Sequence, residues 1–221
     1  HEVILFPHHI GYKRGYRGID WAEFSPELSP FVEIISMHGC SEHTESPFPF
    51  LHSMGPIDWE SCMQYGLGAE KVFGVIGSTD HHSAHPGSYG HGLCAVWAES
   101  LNRDKIWSAF DSRRTYALTG DKIELQFSIN DSPMGSIVPQ CKRRLVYFKV
   151  KGGAVIDYVD VVKNNRLLRR FSQTDFREQE IPETMVHTKI HIEVGWGEWR
   201  NHVKWNVKVT LQEGYILNFE P

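Results

Sequence analysis

The feature that most narrows the possible folds is a change of hydrophobic rhythm about halfway along the chain. Before residue 117, apolar residues come in short runs without polar alternation, at 3–6, 32–35 and 72–76. Such runs suit strands covered on both faces, as in a parallel sheet packed between helices. Between the runs, 58–65 and 103–112 have helical spacing, the second with Asn102 as N-cap and Ile106, Trp107 and Phe110 on one face. After residue 118 the pattern alternates, at 123–129, 145–150, 156–163, 188–194 and 203–211, with Gly, Pro and Asn turns between the segments. Residues 215–219 also read as strand. Alternation marks half-buried antiparallel strands and predicts a β-sandwich. The expected division is therefore an α/β unit over 1–117 and a β-sandwich over 118–221.

Charge and chemistry shift at the same place. Ten of the thirteen histidines lie at or before His91. Residues 1–117 hold 8 Lys+Arg against 14 Asp+Glu, and residues 118–221 hold 15 against 13, a change from −6 to +2. A boundary near Thr119-Gly120 fits both shifts. The overall charge of −4 supplies no basic field, so nucleic acid and anionic membrane are not expected partners. No apolar run approaches the roughly 20 residues that span a bilayer, and the first residues lack a signal-peptide layout. A soluble protein is expected, with the cytoplasm as the favoured compartment. Cys40, Cys62, Cys94 and Cys141 form no C-x-x-C pair, which argues against a zinc ribbon or redox motif and for buried free thiols. The opening His1-Glu2-Val3-Ile4-Leu5-Phe6 reads like the middle of a buried strand, so a truncated or processed chain is expected.

Two apolar strands end in metal-type ligands. One runs from Val72 to Ile76 and delivers Asp80, His81 and His82 at its C-terminal end, where α/β enzymes place their active-site loops. In extended backbone, Asp80 and His82 project to one side and His81 to the other. A carboxylate beside an imidazole suits Zn²⁺, Mn²⁺ or Fe²⁺. The other runs through Phe6 and Pro7 to His8 and His9 before Gly11, and at least one of these histidines is expected to be a ligand. His85 and His91 sit in a Gly-rich loop where they can face substrate, and Arg113 and Arg114 suit an anion, as do Lys13, Arg14 and Arg17. His38 and His43 flank Gly39-Cys40-Ser41-Glu42, with local hydrogen bonding or support of a ligand as their expected roles.

Taken together, Phe6-Pro7-His8-His9, Val32 through Glu42, Gly77 through His82 with Pro86-Gly87, and Arg113 through Gly120 resemble the polymerase-and-histidinol-phosphatase superfamily of metal-dependent phosphoesterases. The likeness is closest to its bacterial-type relative, domain of unknown function family 3604, and covers most of residues 1–135. It implies the C-terminal part of a distorted β/α barrel, with up to three metal ions at the strand C-termini. His8 or His9 then matches a late histidine ligand, Asp80 and His82 the final Asp-x-His, and Glu33 a strand residue that supports the site. The superfamily's opening His-x-His and bridging glutamate have no match here, so an upstream segment of the same protein is implied as a partner of the site. The expected function is hydrolysis of a small anionic substrate, most simply a phosphate ester, by metal-activated water, with little activity in this chain alone. The alternative is a non-catalytic module on a hydrolase scaffold, its sandwich contacting a protein or glycan.

Overall fold

The protein is described by a computed structural model covering residues 3–46, 48, 55–82, 87, 91–172, 175, 204–211 and 214–218. The element order begins β1 (Phe31–Ser36), β2 (Gly39–Cys40), a 3-10 turn (Trp59–Ser61), α1 (Met63–Gly68), β3 (Gly74–Gly77), β4 (Leu93–Val96), α2 (Arg103–Asp111) and β5 (Thr115–Leu118). It continues with β6 (Glu124–Ile129), β7 (Ser132–Pro133), β8 (Val146–Lys151), β9 (Tyr158–Lys163) and β10 (Arg166–Ser172).

The centre of the first region is β1, which is apolar apart from Glu33 and Ser36 and covered on both of its faces. Alternate residues of a strand point to opposite faces. Val32 joins Ile10, Trp21 and Phe24 in one buried cluster, with Ile34, Met63 and Phe73 packed against it. Phe31 joins Ile4 and Ile76 in a second, sealed by Trp107 and Phe110 of α2. Helix α2 starts where Asn102 accepts a hydrogen bond from the Lys105 N–H at 3.0 Å. β3 pairs in parallel with β1, with Glu33 opposite Ile76 and Ile35 opposite Gly77. On its other edge β1 turns back through Met37 and His38 into β2. Residues 3–7 run beside β1 without forming a regular strand: Leu5 donates to the Leu28 carbonyl at 2.8 Å and Glu33 to the Pro7 carbonyl at 3.0 Å.

Glycines let the next hairpin close over the ends of β1 and β3. A Cβ on Gly77 would lie 2.7 Å from the Leu93 carbonyl oxygen, and one on Gly92 would lie 2.4 Å from the Ile35 carbonyl oxygen. β4 and β5 then pair antiparallel. Tyr116 ties this region to β6, its hydroxyl donating to the Ile123 carbonyl at 2.9 Å and accepting from Leu125 N–H at 3.1 Å. β6 lies between β7 and β8 in an antiparallel sheet, and β9 and β10 make a separate two-stranded ribbon. The two touch through Phe148 and Phe171, whose ring centroids are 5.2 Å apart.

This architecture corrects the expected barrel and sandwich. The described residues are mostly β, in four small sheets, and no barrel is closed among them. A β/α barrel needs successive parallel strands, each returned by a helix. Here β1 and β3 are the parallel pair, while β2, the β4–β5 hairpin and every pairing after it are antiparallel. The 58–65 segment forms a 3-10 turn and the start of the six-residue α1, too short to run the length of a strand as a barrel helix does. A sandwich needs two apolar faces buried against each other, whereas β6, β8, β9 and β10 carry only half-buried and exposed residues. Of the other expected strands, 188–194 lies outside the described residues, and 204–211 and 214–218 contain none. Four free thiols are present, of which Cys40 and Cys62 are buried. Among the described residues, no helix is long and apolar enough to cross a membrane.

Candidate metal centre

Because β1 and β3 run in parallel, with one register shift between Glu33 and Ile35, their C-terminal ends are neighbours, and the pairing extends past both. Ser78 N–H donates to the Ile35 carbonyl at 2.9 Å, and Met37 N–H to the Thr79 carbonyl at 3.3 Å. That places His38, in the turn after β1, beside Asp80, in the loop after β3. Residues 3–7 lie along β1 in the same direction and deliver His8 and His9 to the same end. Asp80 and His9 both have left-handed backbone, at φ 48° and 55°. Such conformations in non-glycine residues are uncommon and concentrate at functional sites, where the surrounding structure holds them.

Three imidazoles converge on one carboxylate oxygen. The Nε2 atoms of His38, His9 and His8 lie 2.6, 3.0 and 3.4 Å from Asp80 Oδ2. The oxygen is buried and accepts no hydrogen bond of good geometry, and His9 Nδ1 is also buried without one. Among the described residues, two sets of three have ligand atoms within 4.8 Å of one another: His9, His38 and Asp80, and His8, His9 and Glu33. Donor atoms about 2.0–2.2 Å from a shared ion are separated by distances of this order, and nitrogen with carboxylate oxygen suits Zn²⁺, Mn²⁺ or Fe²⁺. The residues present therefore fit the ion that the sequence resemblance implies.

The electrostatics keep these imidazoles distinct. Burial, then the neighbouring His8 and His38, push His9 down from 6.5 to about 3, against the pull of Asp80. His9 is thus neutral at ordinary pH, as a ligand must be. For His8 burial also acts downward, but the Glu33 hydrogen bond and the charges of Glu33 and Asp80 outweigh it and leave the group raised. The charge of Arg17 reaches both histidines and lowers them. Burial raises the phenol of Tyr12, which meets His9 edge-on at 5.8 Å.

The expected site residues separate into those gathered here and those elsewhere. His8, His9 and Asp80 converge, with Glu33 and His38 among them. His82 takes a different position from the one that extended backbone predicts, because the left-handed Asp80 breaks the two-residue alternation. Its Nδ1 donates to the Asp80 carbonyl oxygen at 2.8 Å, and its ring, 65% exposed, stands 5.4 Å from His38. His91 pairs with His81 at 5.8 Å. Arg113 lies beside Gly74, at the opposite end of β3, and donates to the Gly135 carbonyl. The charge of Arg114 acts on Glu99. His43 makes a local hydrogen bond with Glu45 N–H, and His85 lies outside the described residues. His38, expected only to support the site, stands closest to Asp80. The signal for it was the one that marked His8 and His9, an apolar strand followed by histidine and then glycine.

The family "Protein of unknown function (DUF3604)" matches residues 87–131, the segment from the Gly-rich loop through β4, α2 and β5 into β6. An uncharacterized protein of Chlamydia trachomatis serovar D is 31% identical over 188 residues, which are 77% of this chain and 30% of that protein. Uncharacterized proteins of Chlamydia muridarum and Chlamydia pneumoniae are 30% and 28% identical over the same shares. The chain thus spans about 30% of the length of these relatives. No solved structure matches it. The family match begins after the histidine cluster, whose reading rests on its geometry.

Proposed function

We propose that this chain forms part of a metal-dependent hydrolase acting on a small anionic substrate, with a phosphate ester as the simplest case. The observation that carries the reading is the convergence of three imidazole nitrogens on a buried Asp80 oxygen that accepts no hydrogen bond. Asp80, His9 and His38 are the assigned ligands, and His8 closes the cluster from its more exposed side. The likeness of these positions to the polymerase-and-histidinol-phosphatase superfamily belongs to this proposal and supports it through the residues, not through a barrel. A bound divalent ion supplies acidity to a water and neutralises charge developing on substrate oxygens.

The chain's own groups supply the rest. His9, neutral because it is buried, keeps a nitrogen lone pair available without losing a proton first. His82 donates its Nδ1–H to the Asp80 carbonyl oxygen in a hydrogen bond, which in the neutral ring leaves the lone pair on Nε2 for the ion or for a substrate proton. Arg17 places positive charge near the cluster, which favours an anionic ligand. Further ligands and the substrate pocket are assigned to the parts of the protein beyond this chain.

The test is metal content and turnover of a generic phosphate ester by the full-length protein, compared with Asp80→Ala and His38→Ala. Retention of Zn²⁺ or Mn²⁺ with turnover that both substitutions remove supports the proposal. Retention of metal without hydrolysis of any ester would favour the non-catalytic module.

A further inference from the structure

We propose that Glu33 is a positioning residue that fixes the tautomer and orientation of His8, so that His8 presents the lone pair of Nε2 to the metal centre. This rests on the metal reading above and adds to it a fixed role for a strand carboxylate.

Glu33 is out of place by composition. It sits mid-strand in β1, 6% exposed, on the same strand face as Phe31 and Ile35. Burying a carboxylate there is costly unless both oxygens are held. Both are. Oε1 receives His8 Nδ1 at 2.8 Å, and Oε2 receives the Ser78 hydroxyl.

A carboxylate only accepts, so the proton between Glu33 and His8 belongs to Nδ1. A neutral imidazole protonated at Nδ1 carries its lone pair on Nε2, the atom that lies 3.4 Å from Asp80 Oδ2. His8 needs such a constraint more than its neighbours do: its side chain is 42% exposed, against 10% for His9 and 3% for His38. The chain packs His9 and His38 in place, whereas the ring of His8 is held by its hydrogen bond. Ser78 follows directly on β3 and grips the far oxygen, so Glu33 spans the ends of two paired strands and one histidine loop. A direct ligand role for Glu33, which its distances also allow, would require an ion to displace the His8 proton from Oε1. The positioning role leaves every existing hydrogen bond in place.

The experiment uses the full-length protein and its Glu33→Leu, Glu33→Gln and Ser78→Ala variants. Nitrogen-15 NMR of the metal-free protein reads the tautomer of each histidine. Competition with a chromophoric chelator reads Zn²⁺ affinity. At a pH above the raised folded value of His8, where its ring is neutral, the wild type is expected to show His8 protonated at Nδ1. Glu33→Leu should lose that preference and bind Zn²⁺ roughly 10- to 100-fold more weakly, the usual consequence of removing such a partner. Glu33→Gln, which keeps an oxygen acceptor, should restore most of both, and Ser78→Ala should loosen His8 by less than Glu33→Leu does. An unchanged His8 tautomer in Glu33→Leu overturns the inference, as does a loss of Zn²⁺ in Glu33→Gln as deep as that in Asp80→Ala, which would make Glu33 a ligand. If Glu33→Leu fails to fold, Ser78→Ala decides, and an unaltered His8 there overturns the inference. A wild type that shows the tautomer lock yet retains no Zn²⁺ sinks the metal reading and leaves the Glu33–His8 lock standing.

Discussion

Residues 3–118 and residues 124–172 both form their sheets from short strands, yet they differ in what the strands cover. In the first region β1 is buried on both faces, and Tyr12, Phe31, Ile10 and Val32 are fully inaccessible. Among the described residues, none after Gly120 is buried. In the second region Val162, Leu167 and Leu168 are all more than half exposed although they lie in well-paired strands. Hydrogen-bonded pairing and apolar burial are therefore separate achievements. The candidate chemistry sits with burial, because burial of His9, followed by its imidazole neighbours, is what lowers it.

The largest expected effect breaks this asymmetry at its chemical end. Asp80→Ala removes the oxygen on which three imidazoles converge and should lower Zn²⁺ affinity by more than about 100-fold, beyond the usual cost of losing a ligand's supporting partner. Asp160→Ala, in the exposed ribbon, should leave affinity unchanged. Equal losses from the two variants would show that the cluster is not where the metal binds.

Next in size is the packing difference. Phe31 is fully buried against Phe6 and Phe110, at centroid distances of 4.9 and 5.3 Å. Phe31→Ala should cost about 3–5 kcal/mol in chemical denaturation. Phe148→Ala loses one half-buried aromatic pair and should cost about 1 kcal/mol. Similar costs would mean that the second region has a core of its own.

The same contrast explains what the sequence disclosed. Strand positions came through in both regions: the run at 32–35 became Phe31–Ser36, and the alternation at 156–163 became Tyr158–Lys163. Asn102 was readable as an N-cap because its side chain bonds locally. The convergence of His8, His9 and Asp80 was readable because the ends of neighbouring strands bring their loops together. The barrel was a misreading, since an apolar run reports cover on two faces without reporting what supplies it. On β1 that cover is loop 10–24 with α1 on one face and α2 on the other. His82 reaches the edge of the cluster, its Nδ1 3.9 Å from Asp80 Oδ1, by a left-handed Asp80 that two-residue alternation does not foresee. The nearness of His38 to Asp80 was not readable because it depends on the β1–β3 pairing, a long-range fact.

A third prediction concerns pH and belongs to the first region. The folded-state value of His9 is about 3, below its ordinary 6.5. Between those values the unfolded chain holds a proton that the native state does not. Stability from His9 is thus complete above about pH 6.5 and drains as pH falls toward 3, at up to about 1.4 kcal/mol per pH unit. His8, raised in the fold, acts in the opposite sense: its contribution is full at low pH and is lost as pH rises through its folded value. The net expectation for the metal-free protein is a lower urea midpoint at pH 5 than at pH 7.5, with a shallower slope in His9→Gln. A midpoint equally sensitive to pH in the variant would remove His9 as the source.

The smallest expected effect tests the second region from within. Arg170 makes two hydrogen bonds of 2.7 Å to the Asp160 carboxylate across β9 and β10, and its guanidinium lies 3.9 Å from the Tyr158 ring centroid. The guanidinium–carboxylate fork is the geometry in which ion pairs are strongest. It lowers Asp160 and raises Arg170 from their ordinary values. Both groups are nonetheless in solvent, where water and salt screen the attraction and where holding two side chains in one geometry costs entropy. Arg170→Met should therefore shift the global denaturation midpoint very little at low salt and not at all at high salt. It should also leave Zn²⁺ affinity untouched. Hydrogen exchange sharpens the point: amides of β9 and β10 should exchange faster in the variant while those of β1 and β3 do not change. If Arg170→Met instead lowers the global midpoint as much as Phe31→Ala does, the ribbon folds as one cooperative unit with the buried region, and the contrast between pairing and burial fails.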